Sequence, residues 1–361
     1  MPIYADADEG FWHGLKRHPH VVAWSICLST AVIMEGFDIL LIQSLLAVDS
    51  FKRQFGEQLS DGSYEVSAAW QAGLTNGAIV GEVLGLMLNG IIADRYGFRK
   101  TMIGALSVTV AFIFIPFFAT NVVQLLVGLI LMGIPWGVFQ TLTTTYAAEI
   151  VPTSLRPYLT TYVNICWVIG QLLASAVLVG VQDRDDQWAY RIPYALQWIW
   201  PLPLIVAVIF APESPWWLVR KGRVEDAKNI LRRLRQKDDS DSLDAVTSMM
   251  IQTNEFEQTI NEGTSYLDCF KGVDLRRTEI TCNTWLVQTM AGSTFMGYST
   301  YFYQSAGLGD NSAFSLSLGQ YAIGGVGVII SWVLMSKFGR RFLFLSGLAL
   351  VSFWAGRAIV F

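Results

Sequence analysis

The sequence predicts an all-α, polytopic membrane protein, and three observations carry that expectation. Hydrophobic residues make up 53% of the 361 and charged residues only 15%, where a soluble chain carries roughly a quarter charged residues. Mean hydropathy is +0.41, and apolar segments of bilayer length recur along the chain. One basic turn also occurs twice, as Arg95-Tyr96-Gly97-Phe98-Arg99-Lys100 and again as Lys337-Phe338-Gly339-Arg340-Arg341, each time between two apolar segments. Recurrence at corresponding places is what a duplicated bundle shows, and such duplication is usual in secondary transporters.

A bilayer core takes ~20 mostly apolar residues per helix. On that criterion nine spans are expected, at 22–46, 69–93, 101–118, 122–148, 159–181, 194–211, 283–305, 314–335 and 342–361. The third and sixth are short, and the sixth carries Pro201 and Pro203. Residues 1–21 read as a polar tail without the apolar core of a signal peptide. Residues 22–211 form a six-helix half, 212–282 a polar central loop, and 283–361 the first three helices of a second half. Within the loop, Val224, Ala227, Leu231 and Leu234 recur at three- and four-residue spacing among arginines. That is a short amphipathic helix, lying on the ends of the bundle. It suits a linker as well as a gate.

Charge sets the expected orientation. With a cytoplasmic N-terminus, Lys16, Arg17, Arg95, Arg99, Lys100, Arg156, Lys337, Arg340 and Arg341 fall inside. Lys52, Arg53, Arg184 and Arg191 fall outside. Basic residues gather on the cytoplasmic side of membrane proteins, so the N-terminus is placed there.

The same inventory argues against other classes. A net charge of -4 without a basic block gives nucleic acid nothing to hold. Cys27, Cys166, Cys269 and Cys282 match neither a zinc site nor a disulfide framework, and read as reduced and structural. His13, His18 and His20 all lie in or beside the tail, and no nucleophile–base set, metal-ligand spacing or phosphate loop is visible. Neither catalysis nor a cofactor is expected.

Three carboxylates lie inside spans: Glu35 and Asp38 in the first and Glu82 in the second. An ionised carboxylate at a helix centre costs roughly 2.5–3.5 kcal/mol on insertion scales and is seldom idle. Glu35 and Asp38 are three apart and share a helix face. Two carboxylates at one site cannot comfortably both ionise, which suits a proton-coupled step. In the second span Gly73, Gly77, Gly81 and Gly85 recur every fourth residue, a stripe that lets another backbone approach closely.

Three motifs in order resemble the sugar porter family of the major facilitator superfamily. They are Gly90-Ile91-Ile92-Ala93-Asp94-Arg95-Tyr96-Gly97-Phe98-Arg99-Lys100, Tyr146-Ala147-Ala148-Glu149 with Pro152 and Arg156, and Pro212-Glu213-Ser214-Pro215-Trp216-Trp217-Leu218. Met34-Glu35-Gly36-Phe37-Asp38, Gly133-Ile134-Pro135-Trp136-Gly137 and Leu159-Thr160-Thr161-Tyr162-Val163-Asn164 are similar to the fungal α-glucoside permeases. The Trp216-Trp217 pair strengthens that likeness.

The resemblance implies a twelve-helix fold, of which this chain holds about nine, and proton-coupled import of a maltose-like sugar at the plasma membrane. Its expected partners are the sugar, protons and the lipid bilayer. The first-helix acid is the family's usual coupling residue, so Glu35, Asp38 and Glu82 are the expected proton-coupling group. Many relatives pair that acid with a fourth-helix Arg, where Leu129 stands here. Gln171 and Gln288 match sugar-contacting glutamines of the family. Asn164 and Trp167 share the face of Gln171, while Gly292, Phe295, Tyr298 and Phe302 share that of Gln288. Ordinary packing explains the aromatics as readily as ring stacking on a sugar. Thr294 stands where the family often has Asn.

Asp94, Arg95, Arg99, Glu149, Arg156, Glu213, Arg340 and Arg341 are the expected gating charges, latching cytoplasmic helix ends. Basic loops alone would set topology, but topology needs no acidic partners. Ser336 takes the place of Asp94 in the second repeat and Pro157 that of the usual Gly after the family's Arg, so the two latches are not equivalent. A sugar sensor of the same fold and a transporter of another sugar are the alternatives.

Overall fold

The structure is a computed structural model that describes residues 11–60, 62–152, 155–234, 240–261, 266–335 and 337–360. Among these, seven helices are long and apolar enough to cross a membrane. They are Pro19–Leu45, Ala68–Tyr96, Phe98–Phe117, Val122–Ile150, Arg156–Val181, Trp188–Phe210 and Asp310–Met335, at the places of expected spans one to six and eight. Helix Arg340–Val360 stands at the ninth, with a shorter apolar stretch, Arg341–Val351.

The seventh span is broken where one continuous helix was expected. It runs as Gly272–Gln288, a wide turn at Thr289–Ser293, then Thr294–Gly297 and Ser299–Ser305. The break sits at Gly292, whose φ of 107° is a backbone region that glycine enters without a Cβ penalty. Ser336 lies outside the described residues, as do the side chains of Thr294, Phe295, Arg340 and Arg357.

Local chemistry sets the helix ends. Gly97, at φ 90°, stops the second span and turns the chain into the third within one residue. Asn121 caps the fourth span by accepting from the Gln124 amide at 2.8 Å. The sixth span is interrupted by a 3-10 turn, Gln197–Ile199, between Pro193 and Pro201. Neither proline supplies an N–H to the helix ladder there.

Backbone proximity organises the bundle. The second span packs most extensively on the fourth, and the first on the fifth. A methyl at Gly81 or Gly85 would strike the carbonyls of Ile130 or Ile134, and one at Gly133 or Gly137 those of Ala78 or Glu82. The expected stripe is therefore one side of a reciprocal glycine contact, although Gly73 at its far end faces only Trp70 of its own helix. Gly36 and Gly170 do the same between spans one and five, against Trp167 and Ile33. The fifth span then carries the eighth, and the third packs on the sixth. The opposite face of the second span shows Val80, Val83, Met87 and Ile91, an apolar surface for lipid.

The central loop folds back on this bundle. The amphipathic helix forms as Val224–Leu234 with Ala227 and Leu234 buried, between Pro215–Arg220 and Ser240–Asn261. A two-stranded hairpin, Glu57–Gln58 with Tyr64–Glu65, sits in the connection between spans one and two.

Candidate functional site

The first span delivers both of its carboxylates to the centre of the bundle. Glu35 is fully buried and Asp38 is 2% exposed. Gln140 of the fourth span donates Nε2–H to Glu35 Oε1 at 3.0 Å. Gln197 of the sixth donates Nε2–H to Asp38 Oδ1. Trp136, one turn before Gln140, lies beside Asp38, and so does Tyr194 of the sixth span. Glu82 of the second span is half-buried and is the charge that bears most on Glu35, ahead of Asp38. The structure thus brings together the three acids singled out in the sequence. It also supplies what the sequence left open, the partner of Asp38. That partner is an amide, and among the described residues no cation is ion-paired with any of the three.

The cluster is under-satisfied. Glu35 Oε2, Asp38 Oδ2, Gln197 Oε1 and the Trp136 indole nitrogen are buried without hydrogen-bond partners. Unsatisfied polar atoms are rare in folded cores, and each calls for a water, an ion or a chemical role. Here two of them belong to the carboxylates and two to neighbouring side chains.

A second network closes the end of the bundle that carries the Gly97 turn. Glu213 accepts from the amide nitrogens of Phe98 at 2.8 Å and Arg99 at 3.3 Å, so it caps the third span with a carboxylate. Burial pushes its carboxyl above the usual range, against the pull of these amides and of Arg99. Glu149 accepts from Arg220 at 2.7 Å and from the Ser214 hydroxyl. Asp94 faces Lys221 at 3.6 Å, and its backbone carbonyl accepts from the Trp217 indole at 2.8 Å. Tyr146 donates to the Pro212 carbonyl at 2.8 Å.

These acids do sit at helix ends in charge contacts, yet their partners are largely not the basic residues expected. Arg220 pairs with Glu149 and Lys221 with Asp94. Arg95 lies over the ring of its neighbour Tyr96, 5.6 Å from the centroid. Among the described residues no ion pair involves Arg156 or Arg341. The contacts knit the ends of spans two, three and four to the segment 212–221 that follows span six. Sequence reasoning passed over Ser214, Arg220 and Lys221, although they lie in or just after the third motif.

At the opposite end the seventh span meets the first half. Tyr298 and Thr75 share a hydrogen bond of 2.8 Å, and Tyr301 donates to Glu65 at 2.6 Å. Gln304 donates to the Ala47 carbonyl at 3.2 Å, and Gln43 packs on Gly297. A polar cavity of about 460 Å³ opens here, lined by Asp49, Lys52, Arg53, Glu65 and Tyr301 among others.

The expected sugar residues are only partly gathered. Asn164 is exposed, and Trp167 and Gln171 half-buried, along the fifth span, which packs against the first and the eighth. Tyr298 is already engaged with Thr75. Gln288 is exposed at the end of Gly272–Gln288, a helix without a buried residue. Among the described residues no hydrogen bond joins it to Gln171.

Comparison with known proteins shows the family and the fold. Residues 24–358 match the model of the sugar (and other) transporter family. The general alpha-glucoside permease of Saccharomyces cerevisiae is 41% identical over 341 residues, covering 93% of this chain and 55% of that protein. A maltose permease of the same yeast is 43% identical over 344 residues, with 93% and 56% covered. The chain thus spans about half the length of these relatives. Among solved structures, the proton:xylose symporter XylE bound to 6-bromo-6-deoxy-D-glucose superposes with a TM-score of 0.76 at 19% identity. That match covers 89% of this chain and 70% of the symporter, and shares the major facilitator fold. The family is one of multi-pass membrane transporters and not of enzymes, and with most of its length matched the chain belongs to the sugar (and other) transporter family.

Proposed function

We propose that this chain forms the greater part of a proton-coupled importer of an α-glucoside such as maltose. It works by alternating access across the plasma membrane with its N-terminus in the cytoplasm. The observation that carries the proposal is the carboxylate cluster. Glu35, Asp38 and Glu82 converge where spans one, two, four and six meet, and the hydrogen-bond partners of Glu35 and Asp38 are neutral amides. A proton is the simplest positive charge to satisfy such a cluster, and a step that adds or removes it changes the core charge by one. The yeast relatives, permeases for alpha-glucosides and maltose, support the sugar class, and the proton:xylose symporter XylE supports the proton.

In this reading the acids load a proton when the site faces outward, and the sugar binds beside them. Gln171, Asn164 and Trp167 offer it an amide face and an aromatic surface from span five, and Gln288 and Tyr298 contribute from span seven. Neutralising the cluster lowers the cost of closing it away from water. Glu149, Asp94 and Glu213 hold the cytoplasmic ends while the outer ends part. Arg95, Arg99, Arg156, Arg340 and Arg341 join them as the bundle closes inside.

The test is maltose uptake, with external pH recorded at the same time, in yeast lacking its own α-glucoside transporters. The chain is tested as it stands and continued with the part of the yeast permease beyond the matched region. Uptake with alkalinisation of the medium is expected from at least one form. Asp38→Asn should abolish uphill accumulation while sparing sugar exchange. Accumulation unchanged in that variant removes Asp38 from the mechanism, and uptake without alkalinisation removes the proton.

A further inference from the structure

We propose that Gln197 is the positioning residue that reads the protonation state of Asp38, by turning its side-chain amide over. The proposal rests on the coupling role given to Asp38 above. Gln197 is 4% exposed, donates to Asp38 Oδ1, and leaves its own Oε1 buried without a partner. Asp38 Oδ2 is likewise buried and unpartnered. This arrangement suits an ionised carboxylate, because Nε2–H stabilises the charge on Oδ1.

Add a proton to Oδ2 and the pattern inverts. The carboxyl becomes a donor, and the unpartnered acceptor on the residue beside it is Gln197 Oε1. Rotation of the amide by a half turn withdraws Nε2–H from Oδ1 and presents Oε1 to the Oδ2–H. The proton stays on Oδ2, no covalent bond in the glutamine changes, and one hydrogen bond is exchanged for another, Oδ2–H to Oε1 in place of Nε2–H to Oδ1. An amide carries both a donor and an acceptor at nearly equal reach, which a hydrocarbon of the same shape does not.

Of the other groups around Asp38, the Trp136 indole N–H also favours the ionised form, but it offers no acceptor to the protonated one. Glu35 on its own helix takes its hydrogen bond from Gln140, and Glu82 on the second span acts on Glu35. Tyr194 of the sixth span and Trp136 of the fourth are the remaining polar neighbours. Among the described residues no Lys, Arg or His is ion-paired with Asp38.

The position of Gln197 gives the switch an outlet. It begins the 3-10 turn Gln197–Ile199 that interrupts the sixth span between Pro193 and Pro201, and a short 3-10 piece inside a helix is a common place for a hinge. The tie between spans one and six therefore changes character with the proton, at the point where span six bends most easily.

The experiment is infrared difference spectroscopy of the purified full chain in lipid discs, titrated between about pH 4 and 9, a range that brackets ordinary carboxyl and buried carboxyl behaviour. The protonated carboxyl band that vanishes in Asp38→Asn identifies the group. A glutamine amide band changing in step with it, and absent in Gln197→Leu, is the expected signature. In Gln197→Leu the Asp38 band should persist to higher pH, at a proton concentration roughly tenfold lower, since the donor to the ionised form is gone. Gln197→Asn, which keeps an amide, should shift it less. An amide band that stays silent while Asp38 titrates, or a midpoint unmoved in Gln197→Leu, overturns the proposal. So does an Asp38 band that never titrates. Should Gln197→Leu fail to fold, the amide band of the unaltered chain still decides. The spectrum needs no transport, so absent maltose uptake would count against the importer reading alone.

Discussion

Removing Arg220 should weaken the protein far more than removing Lys221, although both pair with acids at the same end of the bundle. Arg220 Nη2 stands 2.7 Å from Glu149, whose side chain is only 13% exposed, while Arg220 itself is 35% exposed. Truncating one partner of a fully buried pair costs about 3–5 kcal/mol, because a charge is left without compensation. Solvent reaching the Arg220 side reduces that figure, and the Ser214 hydroxyl still donates to Glu149, so Arg220→Ala should cost about 2 kcal/mol, near the lower bound for a charged hydrogen bond. That is roughly thirtyfold in an equilibrium constant. Lys221 stands 3.6 Å from Asp94, which is 65% exposed, and an exposed pair of that length contributes at most about 0.5 kcal/mol. The assay is unfolding of the purified protein in one detergent at low and high salt, for both variants and for the double-mutant cycles with Glu149→Ala and Asp94→Ala. The Arg220–Glu149 coupling should survive high salt, and that of Lys221–Asp94 should vanish. Equal costs for the two truncations, or an Arg220 effect erased by salt, would refute the reasoning from burial.

Three further outcomes follow from other contacts. Burial raises the Glu213 carboxyl in the folded state, so the native protein binds more protons than the unfolded chain above about pH 4.3. Stability then falls as pH rises from there through the raised value, and Glu213→Gln should flatten that slope in melts recorded across the window. Gly81→Ala drives a methyl into the Ile130 carbonyl of the facing helix, and overpacking of this kind costs about 1–3 kcal/mol. Gly104→Ala meets nothing within 4 Å and should be neutral or slightly stabilising, so equal melting temperatures for the two would discount the glycine contact. Tyr301→Phe deletes a 2.6 Å bond to Glu65 and should loosen the contact of the seventh span with the first half by about 1 kcal/mol, read as faster thiol labelling of a cysteine placed at Ala47.

The sequence makes the bundle legible because membrane spans are written in composition. Six of the nine expected spans emerge as single apolar helices or helices with short turns, and the eighth as Asp310–Met335. The break in the seventh was not legible, since Gly292 lies in a run that hydropathy alone reads as continuous and only its backbone angle shows the turn. The carboxylates were visible for the same physical reason as the spans, since a charge in an apolar run stands out. Their partners were not. Gln140 and Gln197 are two among several polar residues within spans, and no periodicity says which one points at Asp38. The basic partners of Glu149 and Asp94 were not legible either, because long basic side chains choose partners by reach. Arg220 and Lys221 follow Trp217 closely, and its indole on the Asp94 carbonyl pins that helix against the end of the second span.

The absence of a paired cation in the described core changes what a coupling step must do there. Three ionised carboxylates at mid-span would together cost roughly 9 kcal/mol on insertion scales, comparable with the whole stability of a typical domain. Hydrogen bonds from Gln140 and Gln197 return about 1.5–3 kcal/mol each, and Glu82 receives no such bond among the described residues. Amides alone therefore leave the fully ionised cluster several kcal/mol short. A fixed arginine would close that gap permanently, and the proton would then be competing with an internal ion pair. Where Leu129 stands instead, the proposed coupling makes the bound proton itself the counter-charge. In the proposed cycle its arrival satisfies the core and its departure unsettles it, which would tie proton release to the opening of spans one and six toward water.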